Sequence, residues 1–462
     1  MEGGWRQGES DARVRHDALG PHYPLIRHPR PDAVFAVRGG LRITAEQFLR
    51  DVAALGPKLP PRQYVLNLCA DRYRFAVGLA AALSRRQVTL LPPNDAALTI
   101  AALAADYPDL YCLTDAAASP AVSVPTTLYP AKLDSGAEPM LPSLSGAQPA
   151  VLLFTSGSTG RPKATPKSWG TLARSALAAG ARLGAAALAG ATVVGTVPHQ
   201  HSYGLESTLL LALQHALVLQ AERPFYPGDV AAALESSPRG RILVTTPIHI
   251  SALLAESGTL PKVDLVISAT APLAHAIAVQ AEARFAAPLL EIYGCSEAGQ
   301  IATRRTAQES LWHCLEGISL HQDDQGTWAE GEPIETATLL HDVIELDGPT
   351  RFRLHGRTAD LVNIAGKRSS LAHLDRQLTA IAGVLDGAFL MPEAEGEGVT
   401  RLMAFVVAPG VAPEVILAAL RERVDPAFLP RPLVLVDALP RNSLGKLPRE
   451  ALLRLAARNG SA

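Results

Sequence analysis

Cysteine is scarce in this chain. Cys69, Cys112, Cys295 and Cys314 are the four among 462 residues, and their scatter has none of the spacing of a metal knot. Nothing in that usage suggests a disulfide framework or an oxidising compartment. Net charge is nearly absent as well, at −2, so there is no long-range pull toward nucleic acid or anionic lipid. Long uncharged apolar runs are missing too. The most apolar stretch, residues 177–198, is rich in Ala and Gly and contains Arg182. That suits a buried helix leading into a strand better than a membrane span. The opening residues, MEGGWRQGESDARVRHD, lack the apolar core of a secretory signal. A cytoplasmic protein acting on small molecules or specific protein partners is expected, with no nucleic acid and no membrane span.

What is present points to packed domains. Hydrophobic residues make up 48% and charged residues 19%, and the length exceeds what one ordinary core holds. Short β-rich runs alternate with Ala/Leu-rich stretches. Residues 64–69, 88–91, 151–154, 192–197, 242–246, 265–267 and 289–293 read as buried strands, and 168–183 and 273–285 as helices between them. This alternation predicts an α/β fold whose large N-terminal domain has mostly parallel sheets flanked by helices. After Arg357 the texture changes. Helices over 371–382 and 414–424 and strands over 401–407 and 433–436 predict a small α+β domain.

The strongest local signal is the run Val151-Leu152-Leu153-Phe154-Thr155-Ser156-Gly157-Ser158-Thr159-Gly160-Arg161-Pro162-Lys163. An apolar strand enters six consecutive Gly, Ser and Thr residues, a lysine follows, and a helix is expected next. Glycines let backbone approach a polyanion, hydroxyls and N–H groups donate to phosphate, and the lysine adds charge. The Walker spacing is absent. A flexible surface turn is the plain alternative for such a cluster.

This loop resembles the signature of the adenylate-forming enzymes, which comprise acyl-CoA synthetases, peptide-synthetase adenylation domains and firefly-type luciferases. The resemblance implies further motifs in order, and they occur. Pro198-His199-Gln200-His201-Ser202-Tyr203-Gly204 is similar to the motif beside the acyl carboxylate, which implies His201 and Tyr203 near the reacting group and Gly204 shaping the pocket. A metal pair from His199 and His201, or a packing histidine, is the other reading. Ser268-Ala269-Thr270-Ala271-Pro272-Leu273 resembles the small-residue loop along adenine, with Ala269 in contact; alone it reads equally well as a tight turn. Glu291-Ile292-Tyr293-Gly294-Cys295-Ser296-Glu297 implies Tyr293 stacked on adenine, Gly294 and Ser296 at the nucleotide, and Glu297 holding Mg2+ on the phosphates. Asp342 stands where the family clamps the ribose, although His341 replaces the usual glycine before it. Arg357 and Arg368 are implied at ribose or phosphate. The family's hinge aspartate aligns with Ala359, and Asp360 is next. Pro440-Arg441-Asn442-Ser443-Leu444-Gly445-Lys446-Leu447 resembles the C-terminal motif whose lysine, here Lys446, bridges carboxylate and α-phosphate.

By this resemblance residues 1–357 are the large AMP-binding domain and 358–462 a small mobile lid carrying the catalytic lysine. The implied activity is ATP- and Mg2+-dependent activation of a carboxylic acid as an acyl-adenylate, then transfer to a thiol. Catalysis is assigned to Lys446, His201 and Glu297, and phosphate binding to Thr155–Gly160 with Lys163. Lys167-Ser168-Trp169-Gly170 and the short length are similar to compact ligases of aryl-polyene and xanthomonadin-type pigment pathways. That implies an aromatic or short acid loaded onto an acyl carrier protein. Coenzyme A is the rival acceptor, and a degenerate nucleotide binder or a carrier-recruiting module are the rivals from other classes.

Overall fold

The computed structural model describes residues 15–17, 20–92, 94–116, 124–134, 136–139, 141–156, 162–237, 240–357, 361–364, 367–392, 402–442 and 445–459. Two large sheets dominate. One is six-stranded among the described residues and runs Pro162–Ser168, Pro149–Ser156, Val88–Leu91, Tyr64–Asn67, Leu110–Thr114 and Thr126–Leu128. Its pairings are parallel except for the first, an antiparallel hairpin. The second sheet has a parallel centre of Leu289–Cys295, Leu265–Ser268, Arg241–Thr245, Thr192–Gly195, Val218–Gln220 and Val34–Arg38. Antiparallel strands extend both edges. The fold is therefore the expected α/β type.

The central strands are buried along their length, as Thr192–Gly195 and Leu265–Ser268 show. Helices cover both faces, so the continuous apolar runs have no solvent side to alternate with. The helix Trp169–Arg182 starts at Ser168, whose hydroxyl accepts from the Thr171 N–H, and ends at Leu183. Gly170 lets it sit on the turn before the hairpin, because a Cβ there would stand 2.7 Å from the Gly146 carbonyl oxygen. Arg72 begins the helix Arg72–Ser84 and is fully buried. It donates to the carbonyls of Gly195 (3.0 Å), Val197 (3.1 Å), Gln220 (2.9 Å) and Glu222 (3.2 Å), tying two strand ends to the other sheet.

One expectation is corrected. The phosphate-type run is followed by the return strand Pro162–Ser168 and not by a helix; the helix starts only at Trp169. Thr165 and Lys167 are buried on either side of the exposed Pro166, while Lys163 is exposed nearer the loop end. That period-two pattern builds a strand. The segment expected to be loop between residues 122 and 149 contains two short strands, Thr126–Leu128 and Ser143–Ser145.

Beyond residue 357 lie the hairpin Leu361–Ile364 with Lys367–Ser370, the strands Asp386–Leu390, Met403–Val407 and Leu433–Leu435, and helices Leu371–Thr379, Pro413–Arg421 and Arg449–Asn459. Leu374, Leu378, Phe389, Val406, Ile416 and Leu420 form a core of their own. Among the described residues no helix is long and apolar enough to cross a membrane.

Candidate active site

The site forms where the parallel strands end. The carboxyl ends of Thr192–Gly195, Arg241–Thr245, Leu265–Ser268 and Leu289–Cys295 lie on one side of the sheet and feed the segments 196–201, 246–249, 269–273 and 296–298. Ligands of open parallel sheets bind at this edge.

His199 and His201 part company. The His199 ring is buried, faces the Cys69 carbonyl through Nε2 at 3.0 Å and lies 4.6 Å from the Phe75 ring. It packs. His201 caps the short helix Ser202–Gly204 and is only half-buried. Its pKa falls to about 4, first through burial and then through the positive charges of Lys446 and Arg223. The two rings follow a strand and are not carried on one. Among the described residues no cluster of three His, Cys, Asp or Glu side chains could hold a metal ion.

Tyr203 donates its hydroxyl to the carbonyls of Thr245 (3.0 Å) and Ile267 (3.1 Å), fastening two strand ends. Gly204 has a backbone reason to be glycine: a Cβ would collide with the Pro198 carbonyl oxygen. Ala269 is buried and precedes Thr270, whose φ of +82° turns the chain sharply. Glu291, buried one strand away, accepts from the Leu273 N–H at 3.2 Å and steadies that loop.

Tyr293 packs its ring 5.7 Å from Trp312 and 5.4 Å from Phe352. Its hydroxyl donates to Asp342 at 2.6 Å. Asp342 pairs across an antiparallel ladder with Arg357, whose side chain lies outside the described residues. Two stations 49 residues apart are thus side by side. Gly294 lies near the end of this strand and Ser296 on the turn after it, and Gly294 is required because a Cβ would strike the Gly299 carbonyl. Glu297, in the same turn, is half-buried, and among the described residues nothing hydrogen-bonds to its carboxylate. A carboxylate so placed could hold Mg2+, which takes one or two protein oxygens and keeps phosphate and water for the rest.

Thr155 and Ser156 end their strand opposite Lys163 and Pro162. Their side chains lie outside the described residues, as do Gly157, Ser158, Thr159 and Gly160, while the Lys163 side chain is exposed. Arg368 pairs with Asn363 in the hairpin of Leu361–Ile364 with Lys367–Ser370, its side chain also outside, and the expected hinge at Ala359 and Asp360 lies outside the described residues.

The Lys446 loop is held tightly. Asn442 accepts the Lys446 N–H through its side chain at 2.9 Å and donates its own N–H to the Lys446 carbonyl at 2.8 Å. Arg441 donates to the Gly445 carbonyl at 3.1 Å and forks onto Asp386 at 2.7 and 2.8 Å. Gly445, at φ +75°, comes so close to Ile248 of the helix Pro247–Ala255 that a Cβ would lie 2.9 Å from its Cδ1. The loop therefore leans on the strand ends, with Lys446 near enough to depress His201.

The sequence motifs include Lys167 only in the run Lys167-Ser168-Trp169-Gly170 and leave Arg72, Arg223 and Glu206 out.

Comparison with known proteins gives the family and the fold. A family model described as AMP-binding enzyme matches residues 52–321. A 4-coumarate–CoA ligase of Rhodobacter capsulatus is 32% identical over 271 residues, which is 59% of this chain and 66% of that ligase. The chain thus spans about two thirds of that relative. The ATP-bound MatB structure from Rhodopseudomonas palustris superposes with a TM-score of 0.78 at 18% identity, covering 92% of this chain and 96% of that one. The o-succinylbenzoate CoA synthetase MenE of Bacillus subtilis, with its acyl-adenylate, gives 0.75 at 16%, covering 91% and 95%. With the family match reaching over the hairpin, His201 and Glu297, this chain belongs to the AMP-binding enzymes of the adenylate-forming superfamily.

Proposed function

We propose that this chain is an AMP-forming acid–thiol ligase acting in the cytoplasm. The observation that carries the reading is Lys446, brought by the C-terminal loop to the strand ends beside His201. A carboxylate is a poor electrophile. Its oxygen attacks the α-phosphorus of ATP, a new O–P bond forms, and the bond to pyrophosphate breaks. The thiol sulfur then attacks the activated carbonyl carbon, AMP leaves, and the thiol proton goes to solvent.

Two anions must meet in the first step, so a cation between them lowers the barrier. Lys446 has that role. His201 stays uncharged near neutrality and donates or accepts a hydrogen bond at the acid. Thr155 to Gly160 and Lys163 receive the phosphates, Asp342 with Arg357 the ribose, Tyr293, Gly294, Ser296 and Ala269 the adenine side, and Arg368 phosphate charge. Mg2+ at Glu297 would neutralise phosphate charge. We place the domain division at 357/358, so that residues 358–462 turn between the two half-reactions.

The acid is aromatic or short. Relatives named as ligases of 4-coumarate, 2-succinylbenzoate and 4-chlorobenzoate support an aromatic ring. The acceptor is a phosphopantetheine thiol, which acyl carrier protein and coenzyme A share; the Lys167-Ser168-Trp169-Gly170 resemblance favours the carrier and the relatives' names favour coenzyme A. Acid-dependent ATP–pyrophosphate exchange tests the first step, with each thiol then offered in turn. Exchange with one acid class supports the ligase reading. A folded protein that binds ATP but exchanges with no acid overturns it in favour of a non-catalytic nucleotide binder.

A further inference from the structure

Lys167 lies buried beneath this site, 2% exposed, on the return strand of the phosphate-type hairpin four residues beyond Lys163. Its ammonium donates to the main-chain carbonyl of Glu297 at 2.5 Å. Glu206, 3% exposed, supplies a buried carboxylate close enough to stabilise the lysine's charge against its burial. Glu206 accepts from the Ser202 hydroxyl at 2.5 Å and from the Ser175 hydroxyl and the Gln300 N–H, each at 3.3 Å. It rises from a π-helical turn, Leu205–Leu210, directly after the His201 segment. Such turns insert an extra residue and re-aim side chains, often at functional sites.

The turn that carries Ser296 and Glu297 is consequently gripped from both sides, at 297 by the lysine and at 300 by the glutamate. Stability alone is a weak reason for this arrangement, because desolvating two charges cancels much of their attraction and apolar residues would pack as well. Specific placement is the better reason. The lysine belongs to the hairpin that receives phosphates and the carbonyl to the turn that carries Glu297.

We propose that Lys167 and Glu206 are positioning residues that lock the Glu297 turn to the phosphate hairpin and so set the affinity for Mg·ATP. The proposal rests on the ligase reading for its interpretation, and its test does not require turnover. Lys167→Met, Glu206→Gln and the double variant are compared by urea unfolding, by calorimetric binding of Mg·ATP, and by KM for ATP and for acid in exchange.

Each single variant strands one buried charge and loses stability. The double variant removes both and regains it, yet binds Mg·ATP about tenfold or more weakly, as loss of outer-shell partners does, with KM for the acid unchanged. A double variant that regains stability together with wild-type Mg·ATP affinity would overturn the proposal and leave the pair a structural one. So would an equal rise in KM for acid and nucleotide. Absence of exchange in the wild type, by contrast, strikes the ligase reading and leaves the binding comparison intact.

Discussion

Tyr293 and Asp342 share a hydrogen bond of 2.6 Å, the hydroxyl donating to the carboxylate. The tyrosine ring is fixed by Trp312 and Phe352, which stack on each other 6.2 Å apart. The aspartate is thereby oriented from an aromatic core rather than from a loose loop.

Tyr293→Phe keeps that packing and removes one hydrogen bond to a charged group, a loss on the order of 1.5–3 kcal/mol. The expected result is a KM for ATP raised about tenfold or more, with KM for the acid unchanged. Steady-state exchange kinetics read both. An unchanged KM for ATP would detach Asp342 from nucleotide binding.

Acid should destabilise the fold through buried histidines. Burial lowers His28 to about 4, His199 to about 3 and His201 to about 4. The unfolded chain binds protons near pH 6.5 and the folded chain refuses them, so stability falls as pH drops from 6.5 toward 4 and is flat above that window. At pH 5 the loss is about 2 kcal/mol per histidine. Urea midpoints at pH 7, 6 and 5 measure it, and His199→Gln should flatten part of the slope. Equal midpoints at pH 7 and 5 would contradict the assignment.

Gly294→Ala forces a methyl group into the Gly299 carbonyl across the turn that holds Glu297. Overpacking of this kind costs about 1–3 kcal/mol. The urea midpoint should fall and KM for Mg·ATP should rise together, because the same turn displacement moves the carboxylate. A rise in KM for the acid alone would point elsewhere.

Much of this was legible in the residues. Runs such as Val88–Leu91 and the helix Trp169–Arg182 carry their own signals, β-branched burial in one and a Ser168 cap in the other. The ordered motifs located the strand ends. The hairpin after Phe154 was harder, since Pro162 and Pro166 do not resemble strand formers, and only the edge position of Pro162–Ser168 tolerates them. Gly204 and Tyr203 were read toward the substrate, whereas the close approach to Pro198 and the grip on Thr245 and Ile267 are tertiary facts. No local pattern could pair Lys167 with a carbonyl 130 residues away.

The account stands most directly on Lys446. Lys446→Ala is assayed in two half-reactions: acid-dependent ATP–pyrophosphate exchange, and thioester formation from supplied acyl-adenylate and thiol. Exchange should fall by about 100-fold or more while thioester formation from the adenylate persists near the wild-type rate. Equal loss of both half-reactions in a folded variant, or exchange that survives the substitution, would contradict the role given to this lysine.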